Sequence, residues 1–382
     1  MTTVYLIRHA EAEGNIYRIV QGHFNSYITP RGMKQIDALA ERFRGVHLDA
    51  LYSSDLRRTV TTAGAITKYH SLELHTDPAL REINLGVCEG LSFGEMLHKD
   101  PEQMYYFNYD PDRWHAEGAE TFVGCADRMI KTVAEIASRH DGETIAIVSH
   151  GMAIRSLLAR AIGVKSEDIQ SLPHGDNTAV SLLHYNNGIF SVEYYNDNSH
   201  VPPELSTFAR QTWWRSETKG RDRDNLRYEP LDPNRDGKTY IGFYADAWKS
   251  VHGDLKYFSP EYCLSSAKAH YKRDPRSILG VYRDDELIGV VETDDERGER
   301  EGCGWISFIY LVPEVRGEHL GIQPLGKAIT HFQMLGRKAV RLHVSSLNEH
   351  AIGFYEHWGF RKIGTDSGAG APLYLMEKIF ES

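Results

Sequence analysis

Two short apolar runs constrain this chain more than any other feature. The first, TVYLI, ends at Arg8 and His9; the second, TIAIV, ends at Ser149 and His150. Each has the length of a buried strand, and the second passes directly into a helical pattern. A strand made only for burial gains nothing by ending on cation-capable side chains. In open α/β sheets, ligands gather beyond the carboxyl ends of the strands. If the two runs are parallel neighbours, His9 and His150 meet at one sheet edge. Arg58 then joins them from the first turn of the helix after LDALYSS.

The alternation of strand and helix patterns continues to about residue 200. In TPRGMKQIDALAERFRG, Thr29 can cap and Pro30 fits the first turn, with Ile36, Leu39, Ala40 and Phe43 at helical spacing. DLRRTVTTAGAITKY reads as the next helix, with Asp55 near its cap. Ala126, Ile130, Val133 and Ala137 mark one face of a helix over roughly 122–139. Residues 201–237 are rich in proline, glycine and charge and read as a linker or interdomain extension. Trp213 and Trp214 within it are expected to pack against a domain. From 238 a second pattern begins, with strands SILGVYR, ELIGVVET, WISFIYLV, KAVRLHV and PLYLMEKIF, and helices near 260–272, 322–335 and 348–357. A chain of 382 residues exceeds one core. The expectation is an α/β protein of two domains, 1–200 and 238–382.

Composition removes several classes. A net charge of −10 argues against a nucleic-acid partner held by bulk electrostatics. Four cysteines, Cys88, Cys125, Cys263 and Cys303, form neither a CxxC pair nor a metal or disulfide framework. No apolar run has the length to span a bilayer, and the N-terminus enters a strand with no basic-then-apolar leader. The expected setting is cytoplasmic, with no membrane partner. Nothing resembles HExxH or another metal spacing, so no metal is expected.

The cluster Arg8, His9, Asn15, Arg58, Glu82 and His150 has a chemical logic. A phosphate monoester needs several positive donors, and guanidinium forks match its oxygens. Neutral imidazole can attack phosphorus and hold the phosphoryl group. A carboxylic acid kept neutral beside the phosphate can protonate the leaving alkoxide, and Glu82 in LREINLGVCEG is the candidate.

LIRHAEAEGN, QGHFNSYITPRG, SSDLRRTVTTA, LREINLGVCEG, GAET and VSHGMAIR resemble, in order, the motifs of the histidine phosphatase (phosphoglycerate mutase-like) superfamily. The resemblance covers residues 1 to 200 and implies a three-layer α/β/α sheet. It makes His9 the nucleophile, Arg8, Asn15, Arg58 and His150 the phosphate pocket, and Glu82 the proton donor. Gln21, Gly22 and the backbone at Gly151 line the site. Ala10 stands where glycine is usual and Cys88 where tryptophan is common. Ala10 is tolerated if its φ is negative. The aromatic loop over 94–121 reads as a lid, which suggests an organic phosphate with some apolar surface. Hydrolysis is favoured; mutase-type phosphoryl transfer is the alternative.

In the second pattern, IYLVPEVRGEHLGIQPLGKAITHFQMLG gives a strand, a glycine-containing turn and a helix, a ready anion cradle. With VRLHVSSLNEHAIGFYEHWGFRKIG it resembles a GNAT-type N-acetyltransferase with a mixed α/β sheet. By that resemblance, the backbone of Arg316, Gly317, His319, Gly321 and Ile322 holds the acetyl-CoA pyrophosphate. The strand ending at Leu311 pairs with the pantetheine arm, Asn348 lies near the cofactor and Tyr355 protonates the departing thiolate. His319 departs from the family, occupying a common glycine position; it weakens cofactor binding unless its ring faces outward. Phe354, Trp358 and Phe360 are expected in the core. Glu292, Asp294 and Glu301 are candidate bases by sequence proximity alone. The implied whole is a bifunctional enzyme acting on a small phosphate ester and on an amine acceptor, with a homo-oligomer left open. The alternative keeps one domain as a metabolite- or CoA-binding regulatory module.

Overall fold

The computed structural model describes residues 1–211 and 225–380. The chain divides into two compact units: Met1–Leu91 with Met96–Asp222, and Ser92–Glu95 with Arg223–Ser382.

The first unit contains β1 (Thr2–Arg8), α1 (Glu13–Tyr17), α2 (Pro30–Phe43), β2 (Ala50–Ser53), α3 (Arg57–Thr67) and β3 (Leu74–Thr76). After α4 (Phe93–Lys99), which belongs to this unit from Met96 on, and α5 (Pro101–Tyr109) come α6 (Phe122–Ser138), β4 (Thr144–Ser149), α7 (Gly151–Ile162), β5 (Val180–Asn186) and β6 (Ile189–Asp197). The sheet order is β3-β2-β4-β1-β5-β6. β1 and β4 are parallel neighbours from Thr3 opposite Thr144 to Arg8 opposite Ser149, which puts both histidine-bearing ends at one edge.

Alternation builds the layers. Ile7 packs with Leu39 and Phe43 of α2, Ala63 and Ile66 of α3, and Val148 of β4. The intervening Val4 and Leu6, also fully buried, face the other side, where α6 and α7 pack on each other and on β1. Thr29 caps α2 by accepting from the Gly32 N–H at 2.9 Å, with Pro30 at the first position.

Three local expectations gain detail from the structure. Asp55 makes no cap to α3; both its carboxylate oxygens are taken by Arg81. Residues 94–121 are largely helical, in α4 and α5, because Asp100 caps α5 with Pro101 behind it. Their aromatic residues divide: Trp114 is buried and packs edge-on to Phe107 and Phe122, while Tyr105 faces solvent. The stretch 201–237 is anchored at both ends. Thr207 donates to Glu11 at 3.0 Å and Ser206 to Asp176 at 2.6 Å, while Leu226 and Tyr228 are buried and lead into a strand. Trp213 and Trp214 lie outside the described residues.

The second unit contains β7 (Arg227–Pro230), α8 (Gly237–His252), α9 (Pro260–Arg273), β8 (Ile278–Arg283), β9 (Glu286–Asp294), β10 (Cys303–Leu311), α10 (Ile322–Met334), β11 (Ala339–Ser345), α11 (Glu349–His357), β12 (Arg361–Asp366) and β13 (Leu373–Ile379). Its sheet runs β12-β13-β11-β10-β9-β8-β7. Tyr240 of α8 and Ala267 of α9 cover one face, over Ile278, Val290 and Tyr310. On the other, Gly304 admits the Phe332 ring of α10 where any Cβ would collide. β10 and β11 are the parallel pair, and they pair only from Cys303–Ala339 to Ile306–Leu342. Both strands continue beyond that point, so a wedge opens between them.

Among the described residues, no helix is long and apolar enough to cross a membrane.

Candidate active sites

His9 ends the buried strand β1 and is itself only 3% exposed. Its Nδ1 lies 2.7 Å from the Ala10 carbonyl. A carbonyl only accepts, so Nδ1 carries the proton and Nε2 is left with its lone pair. Burial, reinforced by the Arg58 and Arg8 guanidiniums, holds the ring well below the ordinary histidine range and therefore neutral. The backbone around it is fixed: its N–H bonds Ser149 at 3.0 Å, and its carbonyl accepts from Asn177 Nδ2 at 2.9 Å. Ala10 is absent from the residues with positive φ, so its methyl costs no strain.

Arg58, fully buried in the first turn of α3, donates from Nε to His150 Nδ1 at 3.1 Å. Its Nη atoms hold the carbonyls of Phe24 at 2.9 Å and Gly22 at 2.7 Å. Burial brings it down to about 10. The bond from Arg58 makes His150 Nδ1 an acceptor, so the proton sits on Nε2 and points to Ser54 Oγ at 2.9 Å. The His9 and His150 rings lie 5.3 Å apart.

Arg8 donates to the Gly175 carbonyl, while its buried Nε finds no acceptor among the described residues. The guanidinium lies over Gly151, where a Cβ would come within 3.2 Å of that Nε. Gly151 thus lets a cation rest on the N-terminus of α7. Glu82 is on the same helix end: its carboxylate accepts from Met152 at 3.0 Å, Ala153 at 2.7 Å and Ile83 at 3.0 Å. Asn15 uses Oδ1 to accept the Ala12 N–H at 2.9 Å, which leaves its amide nitrogen for another partner. Gln21 lies across Gly14, tied to Ser26, and Gly22 faces Glu89.

The sequence reading missed Glu89. One carboxylate receives the N–H groups of Gly22 at 3.0 Å, His23 at 2.8 Å, Phe24 at 2.9 Å and Leu85 at 3.1 Å. It folds the loop whose carbonyls grip Arg58. The Glu-Gly after Cys88 was the available signal. Ser54, in the SSDLRR segment, was likewise passed over.

In the second unit the turn after β10 contains two left-handed residues, Gly317 at φ 83° and His319 at φ 60°. His319 is exposed, so its ring faces outward. From Gly317 to Gly321 the backbone N–H groups find no acceptor among the described residues, which fits an anion cradle. Leu311 gives its carbonyl to Arg316 Nε at 3.0 Å, and Ile322 opens α10. Asn348 caps α11, its Oδ1 accepting from Ala351 at 3.1 Å. Tyr355 stacks edgewise on Phe354 and Phe360, and burial pushes its phenol up to about 12, keeping it protonated. Phe360 is buried as expected; Phe354 and Trp358 are partly covered.

The three carboxylates named as candidate bases fare differently. Glu292 is 2% exposed and is taken up by Tyr240 and His270, each at 2.6 Å. Asp294 takes the other ring nitrogen of His270 at 3.2 Å. Glu301 lies in a single turn before β10. The sequence reading did not single out His343, the first β11 residue beyond the last pair with β10. Its Nε2 bonds Asp366 at 2.8 Å and its ring meets Trp305 edge-on at 5.0 Å. It stands at the apex of the wedge.

Comparison with known proteins finds one family in each part of the chain. The family model of the histidine phosphatase superfamily (branch 1) matches residues 4–198. That of the acetyltransferase (GNAT) family matches residues 242–360. Phosphoserine phosphatase 1 of Hydrogenobacter thermophilus is 31% identical over 184 residues, covering 48% of this chain and 87% of that protein. The metal-independent phosphoserine phosphatase of Arabidopsis thaliana is 31% identical over 204 residues, covering 53% and 84%. Probable phosphoglycerate mutase GpmB of Proteus mirabilis is 31% identical over 188 residues, covering 49% and 86%. Among solved structures, Bacillus stearothermophilus YhfR matches with a TM-score of 0.51 and 32% identity over 52% of this chain and 99% of that one. The chain belongs to the histidine phosphatase superfamily, branch 1, and carries a GNAT-family acetyltransferase domain after it.

Proposed function

We propose that the first unit hydrolyses small organic phosphate monoesters, without a metal, through a phosphohistidine on His9. The observation that carries this is the His9 tautomer: a neutral ring whose Nδ1 proton is committed to Ala10, with Nε2 unprotonated. Nε2 attacks phosphorus, the ester P–O bond breaks, and the leaving alkoxide takes a proton from the Glu82 carboxyl. Water then attacks the phosphohistidine and gives its proton back to Glu82, releasing inorganic phosphate. Arg8 Nε, the Asn15 amide, Arg58 and the α7 N-terminus neutralise the transferring oxygens. His150 joins them by exchanging Ser54 for a phosphate oxygen. The name of the Arabidopsis relative supports metal independence, and the phosphoserine phosphatase names support hydrolysis of a small phosphomonoester.

Hydrolysis of an aryl phosphate in EDTA, by the intact protein and His9→Ala, tests the reading. Activity confined to the intact protein supports it; equal activity in both refutes it. The mutase relative keeps phosphoryl transfer as a second reading. Retransfer to an added hydroxy acid, with no phosphate released, would establish that one.

The second unit, in our reading, transfers acetyl from acetyl-CoA to an amine. The 317–321 backbone would hold the pyrophosphate, and bound acetyl-CoA supplies an activated acyl group. His343, oriented by Asp366, would take the proton from the acceptor amine, and Tyr355 would protonate the departing thiolate. Calorimetric titration of acetyl-CoA is the test, and no heat at about 1 mM would sink the assignment. Four free thiols suit a cytoplasmic setting for both reactions.

A further inference from the structure

The match to the histidine phosphatase model ends at residue 198, yet the chain beyond it returns to the phosphatase site. Residues 205–211 are tied to the loop that follows His9. The Leu205 carbonyl accepts from Gln35 Nε2 at 2.7 Å, and Gln35 Oε1 accepts the Glu11 N–H at 2.7 Å. Thr207 donates to the Glu11 carboxylate at 3.0 Å, and Gln211 Nε2 donates to the Asn15 carbonyl at 3.0 Å. Asp176, 5% exposed, holds the middle of the segment. It accepts from Ser206 Oγ at 2.6 Å and from the Phe208 N–H at 3.3 Å. Its neighbour Gly175 gives its carbonyl to Arg8, so one turn grips both the segment and the arginine.

What the segment delivers is an aromatic ring. Phe208 is 9% exposed, and the Arg8 guanidinium lies over its ring, with Cζ 5.6 Å from the centroid. A cation–π contact reaches to about 6 Å. A planar, weakly hydrated guanidinium suits such a face well. Burial works against the Arg8 charge, and the Asp176 and Glu82 carboxylates work for it. The buried Nε has no acceptor among the described residues and is left as a donor for a ligand. A guanidinium held by one carbonyl can still tilt about that bond; a ring face fixes its plane.

We propose that Phe208 is a positioning residue for phosphate binding. Segment 205–211 sets its ring against Arg8, so that the Nε donor is aimed before a phosphate arrives. The inference rests on the reading of Arg8 as a phosphate donor, and it adds to the site a wall from outside the family match.

The test is calorimetry of inorganic phosphate with the full chain, beside Phe208→Leu, Phe208→Tyr and a chain with pentafluorophenylalanine at 208. Leucine is apolar but has no π face, tyrosine keeps the ring, and the fluorinated ring keeps the shape but loses the negative face. Phe208→Leu and the fluorinated chain should each bind phosphate about tenfold more weakly, with Phe208→Tyr within about threefold of the intact protein. A merely structural role would leave the fluorinated chain unchanged. Full affinity in that chain therefore overturns the proposal, whatever Phe208→Leu does. Phe208→Tyr as weak as Phe208→Leu overturns it as well. In both cases the intact protein still binds phosphate, and the reading of the pocket stands. No heat from the intact protein up to about 10 mM phosphate overturns the pocket and the proposal together. The predicted pattern in a chain that hydrolyses no aryl phosphate would uphold the positioning role and sink the hydrolysis reading alone.

Discussion

His9 and His270 are both buried imidazoles, one ending a strand among guanidinium groups and the other clamped between two carboxylates. Burial and the neighbouring Arg58 and Arg8 hold His9 well below its ordinary value of 6.5. His150 is lowered by burial and Arg58 in the same way. His270 is instead raised to about 9 by its bonds to Asp294 and Glu292. Asp294 is held down at about 2, first of all by its bond to that imidazolium. The same residue type is thus kept as a neutral ring in one unit and as a cation in the other. Burial alone favours the neutral ring; only close carboxylates can reverse it.

Substituting each histidine tests this contrast most severely. His9→Ala should lower aryl phosphate hydrolysis by a factor on the order of 10³ or more while the chain stays folded. His270→Ala should spare hydrolysis but cost the second unit about 3–5 kcal/mol in urea unfolding, because Glu292 and Asp294 lose the cation between them. A His270 variant of unchanged stability would mean that the clamp carries no net energy.

Glu89→Gln asks whether the first site depends on its scaffold as strongly as on His9. A neutral amide cannot accept four N–H groups in the same way, so a loss of about 1–3 kcal/mol is expected. Hydrolysis should fall with it as the loop at residues 22–24 slackens its hold on Arg58. Full activity together with full stability would show that the loop folds without its carboxylate.

Changing pH should separate the two units without any mutation. His9 and His150 are lowered in the folded state, so the unfolded chain binds more protons below 6.5, and the first unit loses stability as pH falls through that value. His270 is raised, so its contribution is complete below 6.5 and is lost as pH rises towards about 9. Asp294 adds a contribution present above 3.8 and lost as pH falls towards about 2. Unfolding of the intact chain, followed by hydrogen exchange in each unit, should show two opposite slopes. Parallel slopes would contradict the contrast.

The smallest effect concerns strain. His319 occupies a left-handed conformation at φ 60°, so His319→Gly should stabilise the second unit by about 1 kcal/mol. The expected readout is a modest rise in melting temperature. A fall would mean that the imidazole makes a contact worth more than its backbone costs.

The amino-acid order by itself marked β1 and β4 as buried strands that end in histidine, because a short apolar run and its boundary are local signals; their parallel pairing came from the fold. It also determined the capped helix at Thr29 and the set His9, Arg58, Glu82 and His150, since each lies next to a readable strand end, turn or helix start. It did not determine the direction in which His9 holds its proton, which depends on one carbonyl at 2.7 Å. Nor did it mark Glu89, whose four N–H partners include three from a loop more than sixty residues away along the chain. In the second unit it could offer Glu292 and Asp294 only as acids near the right strand. Their capture by His270 and the place of His343 at the wedge are products of sheet register and helix packing. Periodicity and local turns are encoded within a few residues, whereas protonation and pairing are set by whatever the fold brings within about 3 Å.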